Sequence, residues 1–519
     1  MAQESAPHAQ TGEFFQTSAH CIACHSNLKG PDGRDISIGT TWRATMMANS
    51  SRDPYWHAAI RREVTDHPPA QAAIENICST CHMPMAHFTT VAAGGQAKVF
   101  ANLEAMRIDQ SENLAADGVS CTVCHQIEPD NFGTRESFEG GFLIDKVTPP
   151  EQRAIYGPHE VDAGRQHLMQ SASSFVPTAA SHMAESELCG TCHTLYTEAL
   201  DAEGRVIGEL PEQMPYVEWA ASDFRETKSC QDCHMPVITR DTPISSVHGQ
   251  PRPAVSQHIF RGGNSFIQTM LNKYRGELGV KALPQELDAS IARTNEFLGT
   301  ETAEITIESA RRSGQSLAFD IAVRSLSGHK LPTAYPSRRV WLHVTVTDSS
   351  GNVLFESGAV RADGSIAGNA NDADPQAYEP HYNEITQADQ VQIYEPILGD
   401  SNGDVTTGLL RGVRYIKDNR LLPEGFDKRS VTEDIAVRGA ALEDEDFVAG
   451  GDRIRYRLDV GARGAVTVDA ELLYQAIGHR WAENLKDYST PETDRFVGFY
   501  GDTIEGAEIR LAADSVTTN

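Results

Sequence analysis

Cys21-Ile-Ala-Cys24-His25 is the first of five copies of one short pattern, and these copies decide the fold of the first half of the chain. The other four are Cys78-Ser-Thr-Cys81-His82, Cys121-Thr-Val-Cys124-His125, Cys189-Gly-Thr-Cys192-His193 and Cys230-Gln-Asp-Cys233-His234. Cys-x-x-Cys-His is the attachment signature of c-type haem. Two thiols three residues apart lie on one face of a helical turn, where each can bond one vinyl group of a porphyrin. The pattern therefore predicts five covalently bound haem c groups.

The histidine of each copy is the expected proximal ligand of one iron, because it follows the second cysteine directly. The predicted proximal ligands are His25, His82, His125, His193 and His234. Other readings of the cysteines explain the pattern less well. Structural zinc sites join two Cys-x-x-Cys pairs, and five pairs leave a remainder. A thioredoxin-like motif occurs once, and a disulfide framework gives no reason for a histidine after every pair.

Composition limits the class of protein and its partners. The chain has 519 residues and a formal net charge of −28, which disfavours nucleic acid and anionic membrane surfaces. No apolar run approaches the length of a membrane helix. Haem c is attached outside the bacterial cytoplasm, so we expect a periplasmic or extracellular protein from which a secretion signal has been removed. The expected partners are other redox proteins, such as cytochromes, or an extracellular electron acceptor.

The hydrophobic pattern divides the chain into two predicted domains. All five motifs lie between residues 21 and 234, so residues 1–300 are expected to form a haem-packed domain of short helices and long loops. From residue 302 onward the pattern alternates with period two, as in Glu304–Glu308, Leu317–Val323 and Val340–Val346. Residues 301–519 are therefore expected to form an antiparallel β-sandwich of the immunoglobulin or fibronectin kind, without haem. The predicted fold class is α+β, with two domains.

Each iron with one histidine has a second axial position, which a histidine or a methionine fills in an electron carrier. His67 precedes Pro68, so its backbone is expected to be extended and its ring to project from a rigid turn. His329 lies in the loop Gly-His-Lys-Leu-Pro-Thr of the second half, and as a ligand it would join the two domains. The candidate distal ligands are His67, His182, His258, His329, Met46 and Met47, with His20, His57 and His87 as weaker candidates.

Asp400-Ser-Asn402-Gly-Asp404 is a weaker candidate site, for calcium. Oxygen ligands on alternate residues resemble the first half of a calcium loop, although the terminal glutamate of an EF-hand is missing. The same residue types also form ordinary turns, so both interpretations stay open.

Longer stretches resemble the multihaem c-type cytochromes related to hydroxylamine oxidoreductase and its tetrahaem partner cytochrome. Cys-x-x-Cys-His-Met-Pro occurs twice, ending at Pro84 and Pro236, and Tyr216-Val-Glu-Trp219 is similar as well. The block from Gly328 to Arg339 resembles a subfamily with a C-terminal β domain, in which a Gly-His-x-x-Pro-Thr loop can supply a distal ligand. The resemblance implies five haems and favours His329. A Cys-x-x-Cys-Lys motif is absent, which lowers the expectation of nitrite reduction.

Three hypotheses for function follow from the sequence. The leading one is electron transfer through five haems, mostly with two histidine ligands, and without catalysis. The second is an oxidoreductase in which one open haem acts on a small nitrogen or sulfur compound while the others relay electrons. The third is a protomer of an extracellular cytochrome filament or another homo-oligomer. No residue is predicted to be catalytic, because no motif names a pocket beside an iron.

Overall fold

The chain divides into two units in the computed structural model, which describes residues 13–108, 113–461 and 464–518. The first unit comprises the described residues up to His193 together with Lys228–Arg293. The second comprises Thr194–Thr227 and the described residues from Thr294 onward. The structure has both helices and several sheets, as the α+β prediction requires.

Short helices connected by long loops form most of the first unit. Its helices are Ala19–Ile22, Ile38–Trp42, Pro54–Asp66, Gln71–His82, Pro84–Ala92, Val99–Ile108, Cys121–Cys124, Ala163–Ser173, Ser186–Gly190, Cys230–His234, Ser265–Lys273 and Arg275–Leu278. The helix Pro284–Glu301 follows and crosses the boundary between the units. Small strand pairs supplement them: Ala154–Gly157 is parallel to Val176–Ala179, whereas Val237–Ile238 with Val255–Ser256, and Thr242–Pro243 with Pro251–Arg252, are antiparallel.

The helix Pro54–Asp66 shows how local sequence sets these elements. The Asp53 carboxylate caps the helix by accepting hydrogen bonds from the backbone N–H groups of Tyr55 (2.8 Å) and Trp56 (3.3 Å). Pro54 occupies the first helical position, where its missing N–H costs nothing. The helix ends before His67, which precedes two prolines. Both ends of this helix are therefore set by local sequence.

Two larger sheets dominate the described part of the second unit. One has the strand order Glu384–Ile385, Gly451–Asp459, Ser316–Ser325, Ala303–Ser313. The other has the order Val353–Ser357, Arg339–Asp348, Val466–Gln475, Ile509–Thr518, with Ile393–Tyr394 also paired to Arg339–Asp348. All pairings are antiparallel except that of Glu384–Ile385. A smaller sheet joins Val405–Thr406, Pro396–Gly399 and Arg414–Asp418.

Alternate residues of these strands face the interior, as the period-two pattern predicts. Ser316–Ser325 buries Leu317, Phe319, Ile321 and Val323, and the residues between them are more exposed. The Tyr456 ring stacks on Phe319 of the neighbouring strand, with ring centroids 4.8 Å apart. The predicted strands near 304, 317 and 340 are each present and longer than the sequence pattern suggests.

Residues 194–227 belong to the second unit, although the sequence places them before the predicted boundary at 300. They contain the hairpin Leu195–Leu200 with Val206–Gln213 and the helix Pro215–Ala220. Tyr196 Oη donates to Asp434 Oδ2 (2.7 Å), and Tyr415 Oη donates to the Pro211 carbonyl (2.9 Å). These long-range bonds explain why the hairpin packs with residues that lie far ahead in the chain.

No helix among the described residues is both long and apolar enough to cross a bilayer.

Replacing Trp341 by alanine is expected to destabilise the second unit. The Trp341 side chain is fully buried against Ile366, Val391 and Ile393, and its indole N–H donates to the Gly358 carbonyl (3.0 Å). A large-to-alanine change in such a core costs about 3–5 kcal/mol of unfolding free energy. The urea midpoint followed by far-UV circular dichroism should therefore fall.

Val353 of the same sheet is 58 % exposed and provides the control. Val353→Ala should change the unfolding free energy by no more than about 0.5 kcal/mol. Its urea midpoint should therefore stay close to that of the wild type. Equal midpoints for Trp341→Ala and Val353→Ala would contradict the assigned core.

Candidate haem-binding sites

Each Cys-x-x-Cys-His copy lies on a short helix of the first unit or at its end. The helices concerned are Ala19–Ile22, Gln71–His82, Cys121–Cys124, Ser186–Gly190 and Cys230–His234. None of the ten cysteines forms a disulfide, and each is partly exposed as a residue. We number the motifs one to five in chain order.

The histidines of four motifs share one hydrogen-bond arrangement that suits a metal ligand. In each, Nδ1–H donates to a backbone carbonyl at least 27 residues away in the chain, which leaves the lone pair of Nε2 for a metal. The pairs are His25 with Ile244 (2.6 Å), His82 with Ser50 (3.0 Å), His125 with Tyr156 (2.6 Å) and His234 with Arg261 (2.6 Å). Burial lowers the pKa of His82 to about 4 and also lowers the pKa of His125, which favours the neutral, metal-binding form.

The motifs are close to one another in pairs that the sequence order does not suggest. Thiols of different motifs are hydrogen-bond partners: Cys21 with Cys121, Cys81 with Cys192, and Cys189 with Cys230. Motif one is thus adjacent to motif three, and motif four is adjacent to both motif two and motif five. The backbone N–H of Cys230 also donates to Ser186 Oγ (3.1 Å), which fixes motif five against the helix of motif four.

His258 is the predicted distal ligand with the most informative geometry. Its Nδ1 is buried without a hydrogen-bond partner, and burial lowers the pKa of the imidazole to about 3. Its ring lies 6.2 Å from the His125 ring, centroid to centroid, with 16° between the planes. Metal–imidazole bonds are about 2 Å long, so two imidazoles on opposite sides of one metal have centroids about 6 Å apart. His125 and His258 therefore have the spacing of a ligand pair.

His67, His182 and His57 are also buried in the first unit. His67 has φ −126° and ψ 61° at the end of its helix, outside the helical region but not in the extended conformation that was expected. His182 lies on the short 3-10 helix Ser181–Ala184, and its Nε2 donates to the Ile127 carbonyl (2.9 Å) just after motif three. His57 Nε2 donates to the Ser51 carbonyl (2.9 Å). For Nε2 of His182 or His57 to bind a metal, its hydrogen bond would first have to break.

The remaining candidates of this unit have less suitable surroundings. His87 uses both ring nitrogens, with Ser79 Oγ at 2.9 Å and Thr80 Oγ1 at 3.3 Å. His20 is exposed on the helix of motif one. Met46 and Met47 are half-buried. The Met47 carbonyl accepts a hydrogen bond from the N–H of Val119, which lies two residues before motif three.

His329 lies in the second unit, on a loop held by buried charges. Its Nδ1 is 2.9 Å from the carbonyl of Lys330. Lys330 Nζ and the Arg420 guanidinium both bind the Asp418 carboxylate (2.7 and 2.8 Å), and Arg420 also pairs with Glu218 (3.0 Å). Burial alone would raise the pKa of Asp418, but the two cations hold it well below its usual range. The balanced quartet fixes the backbone on either side of His329.

Two oxygen-rich clusters of the second unit are explained by their own hydrogen bonds. Asp400 Oδ1 accepts from the backbone N–H groups of Asn402 (2.8 Å) and Asp404 (3.0 Å), so this candidate calcium loop is a self-capped turn. Among the described residues, His381, Asp444 and Asp452 could together hold a metal ion, a cluster that the sequence analysis did not identify. There His381 Nε2 donates to Asp444 (2.9 Å) and its Nδ1 accepts from amides, which accounts for the cluster without an ion.

Comparison with known proteins supports the fold. No family model and no curated protein sequence matches the chain. Among solved structures, the chain is similar to a penta-heme cytochrome c552 from Thermochromatium tepidum, with a TM-score of 0.55 and 15 % sequence identity. The alignment covers 99 % of this chain and 100 % of the cytochrome. This likeness extends over both units and shows that the two chains share a fold.

Gly140→Ala is expected to disturb the contact between motifs two and four. Gly140 has φ +75° and its N–H donates to the Thr191 carbonyl (2.8 Å). An added Cβ would lie 2.5 Å from Thr80 Cγ2. The strained φ alone costs about 1–2 kcal/mol, so the thermal midpoint of the first unit should fall by several degrees.

Removing the clashing methyl group provides a specific check. The double variant Gly140→Ala with Thr80→Ser should recover part of the lost midpoint, because serine lacks Cγ2. Gly157→Ala has open space around its Cβ and serves as the control. A midpoint for the double variant no higher than that of Gly140→Ala would show that the Thr80 contact is unimportant.

Proposed function

We propose that the protein transfers electrons through five covalently attached haem c groups. The observation that carries the proposal is the repeated arrangement of Cys-x-x-Cys-His with a histidine Nδ1–H bonded to a distant carbonyl, found in four of five motifs. The arrangement prepares each imidazole for an iron. The fold shared with a penta-heme cytochrome supports the same conclusion.

The chain's own residues have defined roles in this proposal. The ten motif cysteines form the thioether links, and the Nε2 atoms of the five motif histidines bind iron. Haem supplies reversible one-electron chemistry, while the protein sets potentials through axial ligands, burial and hydrogen bonds. The pairwise proximity of motifs one and three, two and four, and four and five supports passage of electrons between neighbouring groups.

His258 is our first choice for a distal ligand, at the iron of motif three. Its buried, unpartnered Nδ1 and its spacing from His125 support this assignment. The other irons are proposed to take ligands from the candidates His67, His182, His329, Met46 and Met47, with His57, His20 and His87 ranked after them. His87 is last because both of its ring nitrogens are already bonded.

We also propose a location outside the cytoplasm, since the attachment of haem c takes place there in bacteria. The net charge of −28 suits a cationic redox partner, and the haem propionates would add further negative charge.

The haem count provides the first test. The intact mass of the purified protein should exceed the mass of the chain by five haems. The variant Cys189→Ala with Cys192→Ala should carry four, because motif four loses both thioether links. A wild-type mass with fewer than five haems would contradict the proposed cofactor content.

Low-temperature EPR of the oxidised protein tests the distal ligands. Wild type should show only low-spin iron, unchanged by cyanide, because every iron has two strong axial ligands. His258→Ala should convert one of the five haems to high spin, and cyanide should then restore a low-spin signal. His248→Ala, which removes an exposed histidine, is the matched control and should leave the spectrum unchanged.

Two other results would redirect the assignment. An unaltered spectrum of His258→Ala would exclude His258 as an axial ligand. A high-spin signal of the wild type that cyanide abolishes would reveal an open haem and favour the oxidoreductase hypothesis over pure electron transfer.

A further inference from the structure

Asp117 lies between motif one and motif three. Its carboxylate is buried, with 3 % of the residue exposed. It accepts three hydrogen bonds, from Ser18 N (2.7 Å), Ser18 Oγ (2.9 Å) and Ser120 Oγ (2.6 Å). No sequence motif marked this residue, which lies four positions before Cys121.

Both serines that bond to Asp117 lie at the start of a motif helix. Ser18 is the residue before the helix Ala19–Ile22 of motif one, and Ser120 is the residue before the helix Cys121–Cys124 of motif three. Serine at this position usually caps its own helix by accepting a backbone N–H. Neither serine does so here, since both hydroxyls donate to Asp117 instead. One carboxylate thus joins the starts of two motif helices.

The backbone around Asp117 fixes it in this position. Gly118 has φ +60°, and an added Cβ would lie 2.6 Å from the Met47 carbonyl. The Val119 N–H donates to that same carbonyl (2.9 Å). Only glycine at position 118 allows the backbone to lie this close to the Met47 carbonyl. This backbone path places the Asp117 carboxylate beside Ser18 and Ser120.

Two cations, Lys281 and Arg52, lie near the Asp117 carboxylate. Lys281 Nζ lies 3.9 Å from Asp117 Oδ1, and the Lys281 side chain is 44 % exposed to solvent. Arg52 is buried nearby and donates to the carbonyls of Gly279 and Ala48. The field reaches both motifs: the hydrogen bond with Cys21, burial and Asp117 together raise the pKa of the Cys121 thiol. The hydrogen bond with Cys121 lowers the pKa of the Cys21 thiol, and the charge of Asp117 acts in the opposite direction.

We propose that Asp117 is a positioning residue that fixes motifs one and three against each other and selectively lowers the reduction potentials of their two haems. This inference rests on the proposed electron-transfer function. A buried carboxylate favours the oxidised haem, which carries one more positive charge than the reduced form. Its bonds to both helices place the charge where those two haems are affected most.

The test is a potentiometric titration of the five-haem protein, followed by optical and EPR spectra. In Asp117→Asn, two of the five midpoint potentials should rise. At a fixed ambient potential, the reduced-to-oxidised ratio of those haems should increase about tenfold, which is 59 mV for a one-electron couple. Repeating the titration in the variant Cys21→Ala with Cys24→Ala, which lacks the haem of motif one, identifies that haem.

Matched variants separate charge from structure. Asp117→Glu keeps the charge and should keep both potentials low. Asp32→Asn removes an exposed carboxylate of the same unit, paired with Arg34, and should shift none of them. Unchanged potentials in Asp117→Asn, a uniform rise of all five, or an equal rise in Asp117→Glu would overturn the inference.

A second variant applies if Asp117→Asn yields no five-haem protein. Ser120→Ala removes one donor, so the carboxylate is less well neutralised and the same two potentials should fall. Unchanged potentials in Ser120→Ala would then overturn the inference. Failure of the proposed function is distinguishable, because it would appear as missing haems in the wild-type mass rather than as unchanged potentials.

Discussion

The hydrogen bond from a motif imidazole Nδ1 to a carbonyl elsewhere in the chain is the constraint on which the first unit depends. His25, for example, binds the carbonyl of Ile244, which is 219 residues away. Each such bond orients one imidazole and at the same time joins two segments that are far apart in the chain. The same interaction thus holds separate segments of the unit together and fixes the imidazole tautomer with its proton on Nδ1.

Local chemistry allowed much of this structure to be predicted. The cap at Asp53 and the prolines after His67 set one helix, and period-two burial set the strands of the second unit. The five motifs stand out by spacing alone. These features depend on residues within a few positions of one another, which a single sequence displays directly.

Long-range features had no comparable signal. Ile244 and Tyr156 bind motif histidines through backbone carbonyls. Every residue has such a carbonyl, so no sequence feature marks these two as partners. The hairpin of residues 194–227 packs through Tyr196 and Tyr415 with residues much later in the chain, so the predicted boundary at 300 could not reflect it. Among the distal candidates, burial and ring spacing distinguish His258 from His87, whereas their sequence contexts do not.

The proximity of thiols from different motifs has a consequence for biogenesis. In an oxidising compartment two neighbouring thiols form a disulfide readily. A chain that folded before maturation would bring Cys21 to Cys121 and Cys189 to Cys230, and such cross-links would consume the attachment points of four motifs. In the haem protein that we propose, haem ligation would therefore precede folding, while the motifs are still far apart along an extended chain. The proposed architecture would thereby impose an order on its own assembly, with covalent modification first and tertiary structure second.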